Sequence, residues 1–181
     1  IGGIDEVRAF EIIDRTLRSR YPETGHDRLG YCPCDRGPEA SSKTIESCFD
    51  DWCAHLLAKR LGKAESAAFY LKRSRNWRNL WDPETRMLRP RDSNGRWLTP
   101  FNPFERQGPT GLRQYTEGSA IHYLWHVQHD PDGLMELMGR QEFGDRLEEM
   151  FALPEEMPGQ GSVGDCTGEI GQYVHGNEPC Q

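Results

Sequence analysis

No apolar run in this chain of 181 residues approaches the ~18 residues that a membrane-spanning helix needs, so we expect no membrane span in it. Positive charge is also scarce, since 22 Lys and Arg residues stand against 29 Asp and Glu residues, for a net charge of −7. The basic residues are dispersed, and we expect no nucleic-acid partner, because binding to a polyanion needs Lys and Arg in excess on one face. No segment at the N-terminus resembles a signal peptide. The sequence begins at Ile1 and ends at Gln181 in a stretch with Gly and Pro, so we expect a piece of a longer protein, for which that absence says nothing about export.

Cysteine is too sparse for a small disulfide scaffold, although the count of six is even. Neither closely spaced pair has the spacing of a zinc knuckle, since Cys32 and Cys34 form C-x-C and Cys48 and Cys53 are five positions apart. We therefore expect buried thiols, with room for one disulfide, rather than a structural zinc site.

Apolar residues at helical spacing dominate the first half of the chain. They predict an amphipathic helix from Asp5 to Arg20, with negative charge in its first turn. A second helix is predicted from about Lys43 to Leu61, with Ser41 or Ser42 as its cap, and a third from about Ala64 to Trp81. The last two are joined by a single Gly-Lys step and must lie antiparallel. The predicted apolar stripe of the second helix consists of Ile45, Cys48, Trp52, Leu56 and Leu57.

The rest of the chain alternates loops with shorter helices. Turn formers at 82–85 and 92–95 flank stretches that can pair as a short β-hairpin. There is no parallel-sheet alternation and no repeat at a fixed period. The sequence therefore predicts an all-α chain of helical hairpins with long loops. Its remaining predicted helices are 119–128, 131–138, one around 143–151, and a single turn at 169–174.

The segment YTEGSAIHYLWHVQHD, residues 115–130, places a lone carboxylate, Glu117, at the mouth of an aromatic and apolar stretch. Two interpretations are open. The carboxylate can serve the dipole of a helix that begins near Ser119, which would lower its pKa. Alternatively, it lies in a poorly solvated pocket lined by Tyr115 and Trp125, which would raise its pKa and suit a proton donor.

Two other groups of charged residues are candidates for a site. Asp50 and Asp51 look like a carboxylate pair, but adjacent helical residues point about 100° apart and cannot share one substrate atom. We expect them to bond neighbouring segments. Arg89, Arg91 and Asp92 either frame a cleft or pin their loop to the helices, and we favour the second interpretation.

Six short sequence segments follow one another along the chain: YCPCDRGPEASSKT, FDDWC, RDSNGRW, PFNPFE, YTEGSA and GQYVHGNEP. In this order and at these separations they resemble glycoside hydrolase family 92, the calcium-dependent exo-acting α-mannosidases, from about Gly30 to Pro179. The resemblance implies an (α/α)6 toroid of helical hairpins. Residues 1–181 would be the middle of that toroid, too short to close the ring and without the family's N-terminal β-sandwich.

The resemblance also implies roles for individual residues. Glu117 matches the general acid that protonates the glycosidic oxygen. Asn177 and Glu178 match ligands of a Ca²⁺ ion, which prefers hard oxygen donors and would also take the backbone carbonyl near Ala120 and two hydroxyls of the mannose. His175 can donate a hydrogen bond to a sugar hydroxyl or simply pack within its loop, and both interpretations stay open.

These roles predict hydrolysis of non-reducing terminal α-linked mannose from glycans, with inversion and with Ca²⁺ as cofactor. An inverting glycosidase needs a second carboxylate ~6.5–9.5 Å from the acid. The resemblance places that aspartate beyond Gln181, so we expect the segment alone to be inactive. The alternatives are a non-catalytic helical module that binds a glycan or a protein, and a toroid glycosidase for another sugar. The family also implies export of the full-length protein, to the periplasm or beyond.

Overall fold

Helices dominate the structure, a computed structural model that describes residues 3–21, 26–106, 112–161 and 169–174. Strands in these ranges form only two short antiparallel hairpins. The predicted all-α class is therefore confirmed. The elements are α1 (Glu6–Arg18), α2 (His26–Leu29), α3 (Ala40–Arg60), α4 (Ala64–Arg73), a 3₁₀ helix (Asn76–Leu80), β1 (Trp81–Asp82), β2 (Met87–Leu88), α5 (Ala120–Tyr123), α6 (Pro131–Met138), α7 (Arg140–Ala152), β3 (Glu169–Ile170) and β4 (Tyr173–Val174).

The N-terminal helix α1 forms as the sequence predicts. Asp5 caps it by accepting a hydrogen bond from the Arg8 backbone N–H at 3.0 Å, which satisfies one of the donors left free at a helix start. Phe10 and Leu17, seven residues apart, are buried against α3 and α4. Val7 and Ile13, which share this helical spacing, are 48% and 36% exposed, so only part of the apolar stripe holds the helix.

Helix α3 lies between two hydrophobic clusters. Ile45 and Cys48 face the larger cluster, which also contains Trp77. Ala54 and Ala58 face the smaller cluster, between α1 and α4. Because it contributes to both, α3 fixes the position of the elements on either side of it.

The apolar stripe predicted for this helix is partly wrong. Leu56 is 44% exposed, whereas the smaller side chains of Ala54 and Ala58 are buried. Small side chains allow neighbouring helices to approach closely, and this decides which face is covered. The same packing buries Asp51, whose carboxylate accepts a hydrogen bond from Arg73 Nε at 2.9 Å.

The start of α3 also differs from the prediction. The helix begins at Ala40 rather than near Lys43, and its N-cap is Glu39, with a positive φ of 60°. Ser41 and Ser42 are therefore inside the first turn and fully buried, where they do not act as caps. The Ser42 hydroxyl instead accepts a hydrogen bond from the Thr116 N–H.

The predicted third helix is interrupted. Helix α4 ends at Arg73, and the Ser74 hydroxyl donates to the Leu71 carbonyl at 2.9 Å, in competition with the helix ladder. The chain tightens into the 3₁₀ helix, which still buries Trp77 and Leu80. Burial of these two side chains therefore does not require a continuous α-helix.

The loop after the 3₁₀ helix contains the predicted hairpin, in which Trp81 pairs with Leu88. Arg89 is buried and donates to Asp82 Oδ2 at 2.9 Å and to the Leu98 carbonyl at 2.7 Å. Arg91 donates to the Asn79 carbonyl at 3.1 Å. Arg91 therefore ties the loop to the 3₁₀ helix, as we favoured, whereas Arg89 bonds residues within the loop and its hairpin.

The C-terminal third holds two further corrections. Helices α6 and α7 agree with the prediction, and Asp130 caps α6 by accepting from the Gly133 N–H at 3.1 Å. Helix α5 is only one turn long, shorter than predicted. Residues 169–174, predicted as a helical turn, instead form the β3–β4 hairpin around Gly171, whose φ of 61° suits a turn without a Cβ. Within the part of the chain that the structure describes, no helix is long and apolar enough to cross a bilayer.

Candidate active site

Glu117 lies in the tight turn that precedes α5. It is half-buried, and its φ of 50° places it in the left-handed region, which residues other than glycine rarely adopt. Such a conformation costs about 1–3 kcal/mol and persists where the surrounding structure enforces it. Backbone strain of this kind is concentrated at functional sites, so it makes Glu117 a stronger candidate than its sequence position does.

Both backbone polar groups of the preceding residue, Thr116, are bonded to side chains. The Thr116 N–H donates to Ser42 Oγ at 2.6 Å. The Thr116 carbonyl lies 3.0 Å from the Tyr123 hydroxyl, which also lies 2.9 Å from Glu46 Oε1. The turn that carries Glu117 is thereby fastened to the first turns of α3 and to α5.

Glu46 brings a second carboxyl group close to this turn. Burial of its carboxyl end raises the pKa of Glu46, and the charges of Asp50 and Glu39 add to that effect, while the hydrogen bond from Tyr123 opposes it. The pKa of Tyr123 is raised as well, first by burial. The hydroxyl and carboxyl of this pair therefore both favour their protonated forms more than they would in water.

The start of α5 is closed by a capping box. Ser119 N–H donates to His122 Nδ1 at 3.0 Å, so that nitrogen is the acceptor of the ring. Burial, and after it the charge of Arg106, lowers the pKa of His122 to about 4. His122 is therefore neutral at physiological pH, with its proton on Nε2.

Ala120, the predicted carbonyl ligand of a metal, is the first residue of α5 and is fully buried. Its carbonyl accepts the helix hydrogen bond of the Leu124 N–H at 3.0 Å. A carbonyl oxygen has two lone pairs, so this bond leaves one acceptor site. Ala120 is thus compatible with its predicted role.

The other predicted metal and sugar residues, His175, Asn177 and Glu178, lie outside the described residues. The described chain reaches Val174, at the end of β4. Val174 lines a cavity of about 250 Å³ together with His122, on α5. The strand that leads into the HGNEP phrase therefore lies beside the helix that follows Glu117. Within the described ranges, no cluster of three His, Cys, Asp or Glu side chains could hold a metal ion.

The aromatic pocket predicted around Glu117 is not formed as expected. Tyr115 is buried in the core, where its hydroxyl donates to the Leu88 carbonyl and its ring lies 5.5 Å from that of Tyr123. Trp125 packs edge-on against Phe143, at 5.2 Å between ring centroids, and lines the cavity beside Val174. Tyr115 borders a different, small cavity, so the two rings do not enclose one carboxylate.

The two adjacent aspartates of α3 act separately, as predicted. Asp50 pairs with Arg20 at 2.9 Å and Asp51 with Arg73 at 2.9 Å. In the described part of the chain, Cys34 and Cys48 are free thiols that are buried, Cys53 is a free thiol that is exposed, and Cys32 is buried. Cys166 and Cys180 lie outside the described residues.

Sequence reasoning missed Ser42, Glu46 and Tyr123. Ser42 was assigned to a helix cap and the other two to no role. The hydrogen bonds that join them to the Glu117 turn span 74 and 77 positions between α3 and the 116–123 region. No local pattern could have indicated those contacts.

The comparison with protein families matches residues 8–181 to the catalytic domain of glycosyl hydrolase family 92. The chain belongs to this family. The family's catalytic domain is an (α/α)6 toroid, with which the helical fold described above agrees. No curated protein matches the chain.

Solved structures of family 92 proteins from Bacteroides thetaiotaomicron are similar to this chain. An α-mannosidase in complex with mannoimidazole superimposes with a TM-score of 0.89 at 38% identity, over 99% of this chain and 24% of that one. An inverting mannosidase superimposes with a TM-score of 0.74 at 35% identity, over 85% of this chain and 22% of the other. This family 92 chain thus spans about a quarter of the length of these relatives.

Proposed function

We propose that this chain is part of a family 92 α-mannosidase and carries its general acid, Glu117. The observation that supports this most directly is the left-handed turn of Glu117, fastened on both sides by side chains from α3 and α5. A general acid must be held in a fixed position relative to the leaving oxygen. The family match over residues 8–181 and the mannosidases among the solved relatives give the substrate class.

In the proposed reaction, the Glu117 carboxyl gives its proton to the glycosidic oxygen as the bond from that oxygen to the anomeric carbon breaks. A water molecule attacks the opposite face and loses its proton to a carboxylate base. Mannose of inverted configuration and an alcohol are released. The resemblance implies a base beyond Gln181, so residues 1–181 alone are proposed to be inactive.

Asn177, Glu178 and the Ala120 carbonyl would hold the proposed Ca²⁺. All three supply the oxygen donors that calcium prefers, and the Ala120 carbonyl retains one acceptor site beside its helix bond. When bound, the ion would hold hydroxyls of the terminal mannose. Export of the full-length protein and a sugar-binding role for His175 stay predictions.

The test uses the full-length enzyme carrying Glu117→Gln, which keeps the size of the side chain and removes its acidic proton. Release of mannose from an α-linked mannobiose should fall ~10²–10⁴-fold. Glu136→Gln is the matched control, because Glu136 is 74% exposed and pairs with Arg78 only at 3.3 Å. Equal activity of Glu117→Gln and the control would refute the assignment. Proton NMR of the first product formed decides between inversion and retention.

A non-catalytic module that binds a glycan or a protein is the rival function. Calorimetric titration with Ca²⁺ separates the two, with Asn177→Ala and Glu178→Ala as variants. The proposal expects binding of the ion to wild type and loss of that binding in both variants. A scaffold without chemistry gives no calcium binding that depends on these two residues.

A further inference from the structure

The conformation of Glu117 depends on the peptide unit that precedes it. The Thr116 carbonyl carbon and the Glu117 nitrogen belong to one planar group, so a force on the Thr116 carbonyl oxygen turns that plane. The plane in turn sets φ of Glu117, which is 50°. A side chain that binds this carbonyl therefore acts directly on the direction in which the Glu117 side chain leaves the backbone.

The Tyr123 hydroxyl is that side-chain group. It lies 3.0 Å from the Thr116 carbonyl oxygen and comes from the last residue of α5, so the hydrogen bond closes the turn onto the helix that follows it. Tyr123 itself is buried, at 2% exposure, and its ring packs on Tyr115 and His126 at 5.5 and 4.5 Å between centroids. The hydroxyl is therefore held in place before any substrate arrives.

Two residues of α3 complete the arrangement. Ser42 Oγ accepts from the Thr116 N–H at 2.6 Å, on the other side of the same residue. Glu46 Oε1 lies 2.9 Å from the Tyr123 hydroxyl. Ser42 and Glu46 are four positions apart and thus share one face of the helix. One face of α3 thereby holds both backbone groups of Thr116, the N–H directly through Ser42 and the carbonyl through Glu46 and the Tyr123 hydroxyl.

We propose that Tyr123, Ser42 and Glu46 are positioning residues that hold the catalytic carboxyl of Glu117 in its left-handed turn. Tyr123 binds the carbonyl of the Thr116–Glu117 peptide, Ser42 binds the N–H of Thr116, and Glu46 orients the Tyr123 hydroxyl. The proposal rests on the proposed role of Glu117 as the acid. None of the three is required to touch the sugar.

This role has a kinetic signature that loss of stability does not share. Protonation by the acid matters most when the leaving group is a poor one, such as a second sugar, and little when it is a good one, such as dinitrophenolate. In the full-length enzyme, Tyr123→Phe should lower kcat on an α-linked mannobiose by about 10- to 100-fold, because a displacement of about 1 Å at a reacting group has effects of that order. KM should change by less than about threefold, and so should kcat on dinitrophenyl α-mannoside.

Tyr70→Phe is the matched control. Tyr70 is also buried, and its hydroxyl also donates to a carboxylate, Asp14 Oδ1 at 2.7 Å. Tyr70 lies in the smaller hydrophobic cluster between α1 and α4, away from the Glu117 turn. It should leave the ratio of the two substrate rates unchanged. Two further variants test the arrangement if Tyr123→Phe does not fold. Ser42→Ala should reproduce the selective loss. Glu46→Gln keeps an amide N–H that can donate to the Tyr123 oxygen while the hydroxyl proton goes to the Thr116 carbonyl, so it should lose less than Glu46→Ala.

The reference for all of these is Glu117→Gln. If Glu117→Gln loses activity selectively on the mannobiose but Tyr123→Phe and Ser42→Ala lose it equally on both substrates, the positioning proposal is wrong and the acid assignment stands. If Glu117→Gln shows no dependence on the leaving group, the acid assignment is wrong and the positioning proposal falls with it.

Discussion

Arg73→Met should show how much the fold depends on one buried ion pair. Asp51 is 1% exposed, and Arg73 Nε donates to its Oδ2 at 2.9 Å while Arg73 Nη2 donates to the Leu17 carbonyl at 3.1 Å. Burial raises the pKa of Asp51 from 3.8 to about 6, and the charge and hydrogen bond of Arg73 act against that rise. Methionine fills a similar volume but leaves the carboxylate without its cation. Removing one partner of a buried pair costs about 3–5 kcal/mol.

The sign of the pH dependence follows from the raised pKa. A carboxyl that is more easily protonated in the folded than in the unfolded state favours folding at low pH, and this contribution is lost as pH rises through the folded pKa. In wild type that loss falls between about pH 4 and pH 6, from the two values for Asp51. Without Arg73 the pKa of folded Asp51 rises further, so the upper limit of this window moves upward while its lower limit, set by the unfolded chain, stays. The substitution should therefore lower the free energy of unfolding by about 3–5 kcal/mol at pH 8. At pH 5 the carboxyl is protonated, so the substitution removes mainly hydrogen bonds, and the free energy of unfolding should fall by only about 1–2 kcal/mol.

Urea unfolding of the 181-residue chain, followed by circular dichroism at pH 5 and pH 8, measures these differences. Arg18→Met is the matched control, because Arg18 pairs with Asp14 at 2.9 Å but is 45% exposed, and such pairs contribute about 0.5 kcal/mol. Adding Asp51→Asn to Arg73→Met should restore part of the stability at pH 8. Equal losses for Arg73→Met and Arg18→Met, or a loss independent of pH, would refute this reasoning.

Three other substitutions test the fold at separate places by the same unfolding measurement. Gly171→Ala should lower the free energy of unfolding by about 1 kcal/mol or more, because φ is 61° and the new Cβ would lie 2.6 Å from backbone atoms of α7. Its control is Gly144→Ala in the middle of α7, where the new Cβ meets open space and should raise the free energy of unfolding by about 0.5–1 kcal/mol. Asp130→Ala removes the N-cap of α6 and should cost about 1 kcal/mol, and an unchanged midpoint would show that the cap contributes nothing. Trp77→Ala leaves a cavity in the larger hydrophobic cluster and should lower the free energy of unfolding by about 3–5 kcal/mol. Leu56→Ala, at an exposed position, should lower it far less.

Features that depend on neighbours in sequence were predictable. The period of apolar residues in α1, the cap residue Asp130 and the turn formers between β1 and β2 each act within a few residues, so the sequence carries the whole signal. The phrase YTEGSA likewise indicated Glu117 through its resemblance to a family. The exception is the hairpin at 169–174, where apolar residues beside Gly171 suit a helical turn and a strand equally in so short a segment.

The surroundings of Glu117 were decided by tertiary structure. Nothing near Ser42 or Glu46 in the sequence indicates that they meet Thr116 and Tyr123, more than 70 positions later. The buried face of α3 likewise depends on which helices press against it, and small side chains are buried there in place of Leu56. Hydrophobic spacing is a property of one helix, whereas the approach of two helices depends on the shapes of both. The sequence by itself could therefore locate the candidate acid, and only the hydrogen bonds between α3 and the 116–123 region revealed what holds it.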